Sequence, residues 1–294
     1  RLKDHVLERD YFEKSNASVH FGWSVSPPRK VCIKQFPKNT QDPYIQQEIR
    51  TLVRVAQNDD TTTNSVIRYY GAEPDRQGGT VLIFELVHAS SITNTISDLQ
   101  TMTRHQMAEY MYKLLQALNY LHRYDIVHRD VKPANFLHNF ESKTFRLIDF
   151  GSAETGTKGF VRKGGGTRGF RAPETLIGME TQTAAVDVWS AGIILLSLIT
   201  GKRYILTQHG KNVKGEICDA EHLKEIEMIV GKTEMQQLHG QQCDTQGDES
   251  LGEQCKKHRD GIEHENQTGW AAKALQSSIP ERSLKNDDQV LDLL

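Results

Sequence analysis

HRDVKPANF occupies residues 128–136, and nineteen residues after its Asp130 the chain reads IDFG, with Asp149. Lysine stands two residues beyond Asp130 and asparagine five beyond it. These residue types suit phosphoryl transfer to a hydroxyl. One carboxylate receives the hydroxyl proton, a second carboxylate and an amide oxygen offer hard donors to Mg²⁺, and an ammonium steadies the moving phosphate.

Ahead of this stretch the chain reads as strands with one helix. VHFGWSV and RKVCIKQF are rich in β-branched and aromatic residues and are split by SPP. PYIQQEIRTLVRVAQ (43–57) spaces Ile45, Ile49, Leu52, Val53 and Ala56 at a helical period behind a proline. VIRYYGAEP and GGTVLIFELV predict a hairpin. Beyond residue 88 the pattern turns helical. The stretch 104–124 puts Met107, Tyr110, Met111, Leu114, Leu115, Leu118 and Leu121 on one stripe. Short strands are expected at FLHN and FRLIDF, and a buried helix at 186–200. The polar stretch 236–268 predicts a solvated insertion.

The order VCIK, a helix glutamate, HRDVKPAN, DFG, RAPE and DVWSAG resembles the eukaryotic protein kinases over roughly residues 10–230. The resemblance implies an α+β, two-lobed protein kinase fold: a small antiparallel-sheet N-lobe (1–87) and a mainly helical C-lobe (88–294). It implies ATP and Mg²⁺ as cofactors. It makes Asp130 the base and puts Lys132 on the transferring phosphate. Lys34 contacts the α- and β-phosphates and pairs with Glu48, while Asn135 and Asp149 ligate the metal. Val19, Cys32 and Leu137 sandwich the adenine ring. Phe84 stands behind it, and the backbone of Glu85 and Val87 bonds the base. Glu174 and Asp187 are expected as scaffold. Lys132, and Thr167 bonded to Asp130 and Lys132, point to the serine/threonine class.

GTRGFRAPE and TQTAAVDVWSAGIILLSLITGK resemble the branch of cell division cycle seven kinases, which fire replication origins with an activating subunit. That resemblance implies a nuclear location and substrates in the minichromosome maintenance helicase. The chain departs from the branch in having Asp149 and Glu174 only twenty-five residues apart, and in ending at VLDLL, where a helix is expected to continue. We expect a truncated C-terminal end. Independently of any family, Lys158, Arg162, Lys163, Arg168 and Arg171 cluster between Asp149 and Glu174 with one acid, Glu154. Such a patch favours acidic or phosphorylated flanks on a protein substrate. Arg129 offers a partner for a phosphate on Ser152, Thr155 or Thr157.

FEKSNASV (12–19) stands where a phosphate-cradling glycine loop is expected, yet holds no glycine. Phe12, Lys14 and Ala17 take the glycine positions. A left-handed backbone there costs a non-glycine residue about 1–2 kcal/mol. The expectation is a working enzyme with weakened ATP binding. The alternative is a pseudokinase, a scaffold with weak ATP binding.

Bulk properties exclude several classes. Thirty-six basic and 38 acidic side chains give a net charge of −2, with no surplus pointing to direct nucleic-acid binding. Four cysteines with no CxxC pair fit a reducing, intracellular setting. The longest apolar run, VWSAGIILLSLI (188–199), is too short to span a bilayer. Cys243, Cys255, His258 and His264 match no common zinc spacing, and free side chains are expected there.

Overall fold

The structure is a computed structural model. It describes residues 5–14, 17–36, 43–57, 64–75, 78–90, 99, 101–156, 165–179, 182–202, 205–206, 219–233 and 235–236, with the side chains of 5–14, 220 and 221 outside the description. The stretch 237–268 of the expected insertion, the four candidate zinc ligands and the C-terminal end lie outside the described residues.

Two compact units are present. The first comprises Arg1–Lys158 and Thr183–Ala191, the second Gly159–Gln182 and Gly192–Leu294. The first therefore holds both the N-terminal sheet and the stretch around Asp130.

An antiparallel five-stranded sheet opens the chain, in the order β1-β2-β3-β5-β4. Its strands are β1 (His5–Lys14), β2 (Ala17–Ser24), β3 (Arg29–Phe36), β4 (Tyr69–Pro74) and β5 (Thr80–Glu85). Period-two alternation sorts β3 into two faces. Val31 and Ile33 pack with Val81 and Ile83 into a buried cluster, and Cys32 and Lys34 point the other way. The β4–β5 turn needs its glycine, because a Cβ at Gly79 would stand 2.5 Å from the Phe36 carbonyl oxygen. The Gly79 N–H is capped by Asp75 Oδ1 at 2.6 Å.

Phe12, Lys14 and Ala17 do not take left-handed backbone. They lie in a strand pair in which Phe12 faces Val19 and Lys14 faces Ala17. Among the described residues, the non-glycine positive-φ positions are Ser65, Asp125, Arg129, Lys143 and Asp149. Extended pairing accepts any side chain, so the strain expected of a glycine-free loop is not incurred there.

Helix α1 (Pro43–Gln57) buries Ile45, Glu48, Thr51, Leu52 and Val55, and Val53 is 39% exposed. The apolar pattern predicts Ile49, Val53 and Ala56 inward. The helix is instead rotated so that a carboxylate, Glu48, turns in, because a buried ammonium awaits it there.

Helix α2 (Arg104–Arg123) starts at a capping box. The Gln106 N–H donates to Thr103 Oγ1 at 3.3 Å, and the Thr103 N–H donates to Gln106 Oε1 at 2.9 Å. Its stripe of Tyr110, Met111, Leu114, Leu118 and Leu121 is buried as the period predicts, with Ala117 added. The Tyr110 ring meets the Phe136 ring edge-on at 5.0 Å. Strands β6 (Ile126–Val127) and β9 (Glu154–Thr155) pair, as do β7 (Phe136–Asn139) and β8 (Thr144–Leu147).

In the second unit, the short helix α3 (Pro173–Leu176) packs against α5 (Asp219–Val230). Helix α4 (Ala185–Thr200) buries Val186, Asp187 and Ser190 at its start and Ile193, Ile194 and Leu198 further on. No helix among the described residues is long and apolar enough to cross a membrane.

Candidate active site

Lys34 stands mid-strand on β3, on the face opposite the buried cluster. Its ammonium donates to Glu48 Oε1 at 2.7 Å and to Asp149 Oδ1 at 3.1 Å. Burial pulls the Lys34 pKa down, but Asp149 and Glu48 outweigh it and raise the group above its ordinary value. Lys34 is thus a fixed positive charge shared by two carboxylates. Asp149 itself takes a left-handed backbone at φ +67°. A non-glycine residue holds that conformation only where its surroundings over-determine it.

Asp130 is fixed by its own loop. Lys132 Nζ donates to Asp130 Oδ2 at 2.8 Å. Asn135 Nδ2 donates to the same carboxylate oxygen at 3.0 Å and to the Asp130 carbonyl at 2.8 Å. With its amide N–H groups so engaged, Asn135 turns its amide oxygen the other way. Asn135 Oδ1 and the Asp149 carboxylate are oxygen groups of the kind that could hold Mg²⁺. No group of three or more His, Cys, Asp or Glu side chains placed to hold a metal ion is found among the described residues. The candidate set mixes an amide with a carboxylate.

Ile148 joins the two groups of residues. Its N–H donates to the Asn135 carbonyl at 2.8 Å. Its own carbonyl meets His128 Nε2 at 3.0 Å, while the Asp130 N–H approaches His128 Nδ1 at 3.3 Å. A ring proton on His128 Nε2, with Nδ1 as acceptor, satisfies both contacts. Beneath the loop, the fully buried Asp187 accepts the N–H groups of His128 and Arg129 at 2.8 and 2.7 Å, and His122 Nε2 at 2.9 Å. The sequence reading of Asp187 as scaffold fits this geometry.

Strand register gathers the expected base-binding residues. Val19 lies opposite Lys34, and Cys32 opposite Phe84, so all four share one face of the sheet. Val19, Cys32 and Phe84 are half-buried, as are Glu85, Val87 and Leu137. Burial pushes the Cys32 thiol up to about 11, against a smaller opposing pull from Lys34. The segment after β5 is tied to the strand that carries Leu137: Asn139 Nδ2 donates to the His88 carbonyl at 2.9 Å, and the Ser90 N–H to the His138 carbonyl at 2.8 Å.

Three partners escape sequence reasoning. Arg146, on β8, donates through Nε to Glu85 Oε1 at 2.6 Å. Glu85 Oε1 also accepts the Arg68 N–H at 2.9 Å, so the segment expected to bind the base is clamped from two sides. Glu154 forms an ion pair with Arg129, where a phosphate was the expected partner. Tyr69 packs its ring 5.6 Å from Phe84, and its hydroxyl is pushed up to about 12 by burial and then by Glu48. None of these pairings leaves a spacing signal, because each joins separate segments of the chain.

Thr167 lies in the second unit, where its carbonyl accepts the Phe170 N–H at 3.1 Å. Its bonds to Asp130 and Lys132 stay an expectation. Burial raises the Glu174 carboxyl above its ordinary range. Within the basic patch, Arg168 meets Asp219 at 3.4 Å and Arg171 donates to the Gly166 carbonyl at 3.0 Å. Arg162 and Lys163, with Lys158, lie outside the described residues.

Comparison with known proteins points to one family. The model of the protein kinase domain matches residues 15–271. Mitogen-activated protein kinase 4 of Rattus norvegicus is 35% identical over 114 residues, 37% of this chain and 42% of that protein. A probable cell division control protein 7 homolog of Encephalitozoon cuniculi is 35% identical over 164 residues, 43% of this chain and 44% of its own. The cell cycle serine/threonine-protein kinase hsk1 of Schizosaccharomyces pombe is 34% identical over 181 residues, 48% of this chain and 34% of its own. The matched part is less than half of each of these relatives. With the family model covering most of its length, and an antiparallel sheet followed by helices, the chain belongs to the protein kinase family.

Proposed function

We propose that this chain is a serine/threonine protein kinase that moves the γ-phosphoryl group of ATP to a protein hydroxyl, with its lobes dividing near residue 87. The observation that carries this reading is the pair of ion contacts from Lys34, 2.7 Å to Glu48 and 3.1 Å to Asp149, joined through Ile148 to an Asp130 held by Lys132 and Asn135. Asp130 takes the hydroxyl proton, and Lys132 offers its charge to the transferring phosphoryl group. Lys34 holds the α- and β-phosphates, and Glu48 and Asp149 hold Lys34. Asn135 and Asp149 would hold Mg²⁺, which when bound neutralises phosphate charge. The half-buried face of Val19, Cys32 and Phe84, with Leu137 from β7, takes the adenine, and the backbone of Glu85 and Val87 its polar edge.

Within this reading the chain acts in the initiation of DNA replication, in the nucleus and with an activating subunit. Two similarities support it. The alignments with the cell division control protein 7 homolog and with hsk1 run over 164 and 181 residues, and that with mitogen-activated protein kinase 4 over 114. The basic residues between Asp149 and Glu174 favour protein substrates with acidic or phosphorylated flanks, such as minichromosome maintenance helicase subunits. Peptides carrying Glu or Ala after the target serine test the preference: faster transfer to the Glu peptide is expected, and equal rates remove it.

A second reading, a pseudokinase that binds partners, draws on the β1–β2 hairpin, where Lys14 pairs with Ala17 in place of a glycine-rich loop. Thermal unfolding with and without Mg·ATP, read beside phosphate transfer, separates the two. Stabilisation together with phosphate transfer at millimolar nucleotide supports the enzyme, with a raised KM for ATP. Weak or no stabilisation without transfer supports the scaffold.

A further inference from the structure

Arg129 immediately precedes the proposed base, and its backbone sits at φ +65°. Such a residue needs strong restraint. Asp187 supplies part of it by accepting the Arg129 N–H at 2.7 Å. The guanidinium is a second concern, because the Arg129 side chain is only 4% exposed and a buried cation without an anion is costly. Glu154 meets it through Oε1. That carboxylate is set by the backbone. Val127 pairs with Glu154 and Ile126 with Thr155, and the Gly156 N–H donates to the Asp125 carbonyl at 2.9 Å.

Resting on the kinase reading above, we infer that Glu154 is a built-in counter-charge for Arg129, doing from within the chain what a phosphate on the activation segment does in kinases switched by phosphorylation. The catalytic loop is therefore set without modification of this segment. Ser152 and Thr155 flank Glu154, and Thr155 is already engaged in the β6–β9 ladder. A dianionic phosphate on either neighbour would add like charge beside Glu154 and weaken the arrangement. Glu154 is a positioning residue: it touches Arg129, not the reacting atoms.

The test compares the full chain, with its candidate subunit, before and after treatment with a protein phosphatase, with phosphate loss confirmed by mass. Ser152→Ala, Thr155→Ala, Glu154→Gln and Glu154→Asp are assayed beside it. Dephosphorylated chain and both alanine variants should keep activity within about twofold. Glu154→Gln should lose about tenfold or more in kcat with little change in KM for ATP, and Glu154→Asp should recover part of that loss. Hydrogen exchange at the Val127 and Gly156 amides should quicken in Glu154→Gln. Activity that vanishes on dephosphorylation, or a fully active Glu154→Gln, overturns the inference. If the chain transfers no phosphate in any form, the kinase reading has failed, and hydrogen exchange decides alone: unchanged protection in Glu154→Gln overturns the role of Glu154.

Discussion

Asp187 Oδ1 accepts the Arg129 N–H at 2.7 Å, so a carboxylate on α4 fixes the backbone one residue before Asp130. The same side chain is fully buried and also accepts from His128 and His122. Asp187→Asn replaces one acceptor with a donor that faces N–H groups. A stability loss of about 2–4 kcal/mol is expected, read by urea unfolding, with a fall in turnover at temperatures where the variant stays folded. An unchanged midpoint would deny Asp187 this role.

Lys34 balances two acids, of which Glu48 is 4% exposed and Asp149 23%. Lys34→Met should lower kcat/KM for ATP by about a hundredfold or more and destabilise the fold, since Glu48 is left buried and uncompensated. Adding Glu48→Gln to Lys34→Met should restore part of the stability and none of the activity. The raised Lys34 pKa fixes the sign of the pH effect. The ion pairs contribute fully below the unfolded value near 10.5 and are lost as pH rises through the higher folded value. Unfolding followed from pH 7 to 11 should show an alkaline arm that is weaker in Lys34→Met.

Arg146 reaches Glu85 at 2.6 Å, with both side chains about one-fifth exposed. Arg146→Met frees, on one side, the segment proposed to bind the base. KM for ATP should rise about three- to tenfold with kcat nearly unchanged, a pattern of lost ground-state binding. A fall in kcat at constant KM would assign Arg146 to the chemical step instead.

The Cys32 thiol, pushed from 9.0 up to about 11, lies on the sheet face proposed to take the nucleotide. A rise of that size leaves about a hundredfold less thiolate near neutral pH. Iodoacetamide at pH 8 should therefore label Cys32 far more slowly than a denatured control, as read by mass spectrometry. Rapid labelling of the native chain would contradict its burial.

His222, on α5, is 2% exposed, and burial lowers its pKa. Asp219 and Glu225 pull the other way, while Arg168 and Arg171 add to the lowering. Above about 6.5 both the folded and the unfolded state are neutral and stability is full. As pH falls below that value the unfolded chain is protonated first, and stability declines towards the lower folded pKa. The loss is at most about 1.4 kcal/mol per pH unit. His222→Phe should flatten this acid slope in urea titrations at pH 5 to 7.

The elements that are legible in the sequence are those whose pattern is local. The α2 stripe from Tyr110 to Leu121 and the alternation of Val31 and Ile33 follow from periodicity alone. Of the ordered stretches, those around Lys34 and Asp149 hold residues that meet, at 3.1 Å. The phase of α1 is not legible, because Glu48 turns inward for the sake of Lys34, on another element. Arg146 with Glu85, and Glu154 with Arg129, are hidden for the same reason: each pairing joins segments that only the fold makes neighbours. The glycine-free hairpin departs from expectation because the strand register leaves extended the very positions where strain is expected.

The central claim, that Asp130, Lys34 and Asp149 act together on ATP and Mg²⁺, is tested most directly by phosphate transfer from γ-labelled ATP. The chain, with its candidate subunit, is incubated with a serine-containing protein substrate at millimolar Mg·ATP, beside an Asp130→Asn control. Label should appear on substrate serine or threonine with the native chain and fall by at least about a hundredfold with Asp130→Asn. Equal labelling by the two proteins, or none by either, would contradict the account.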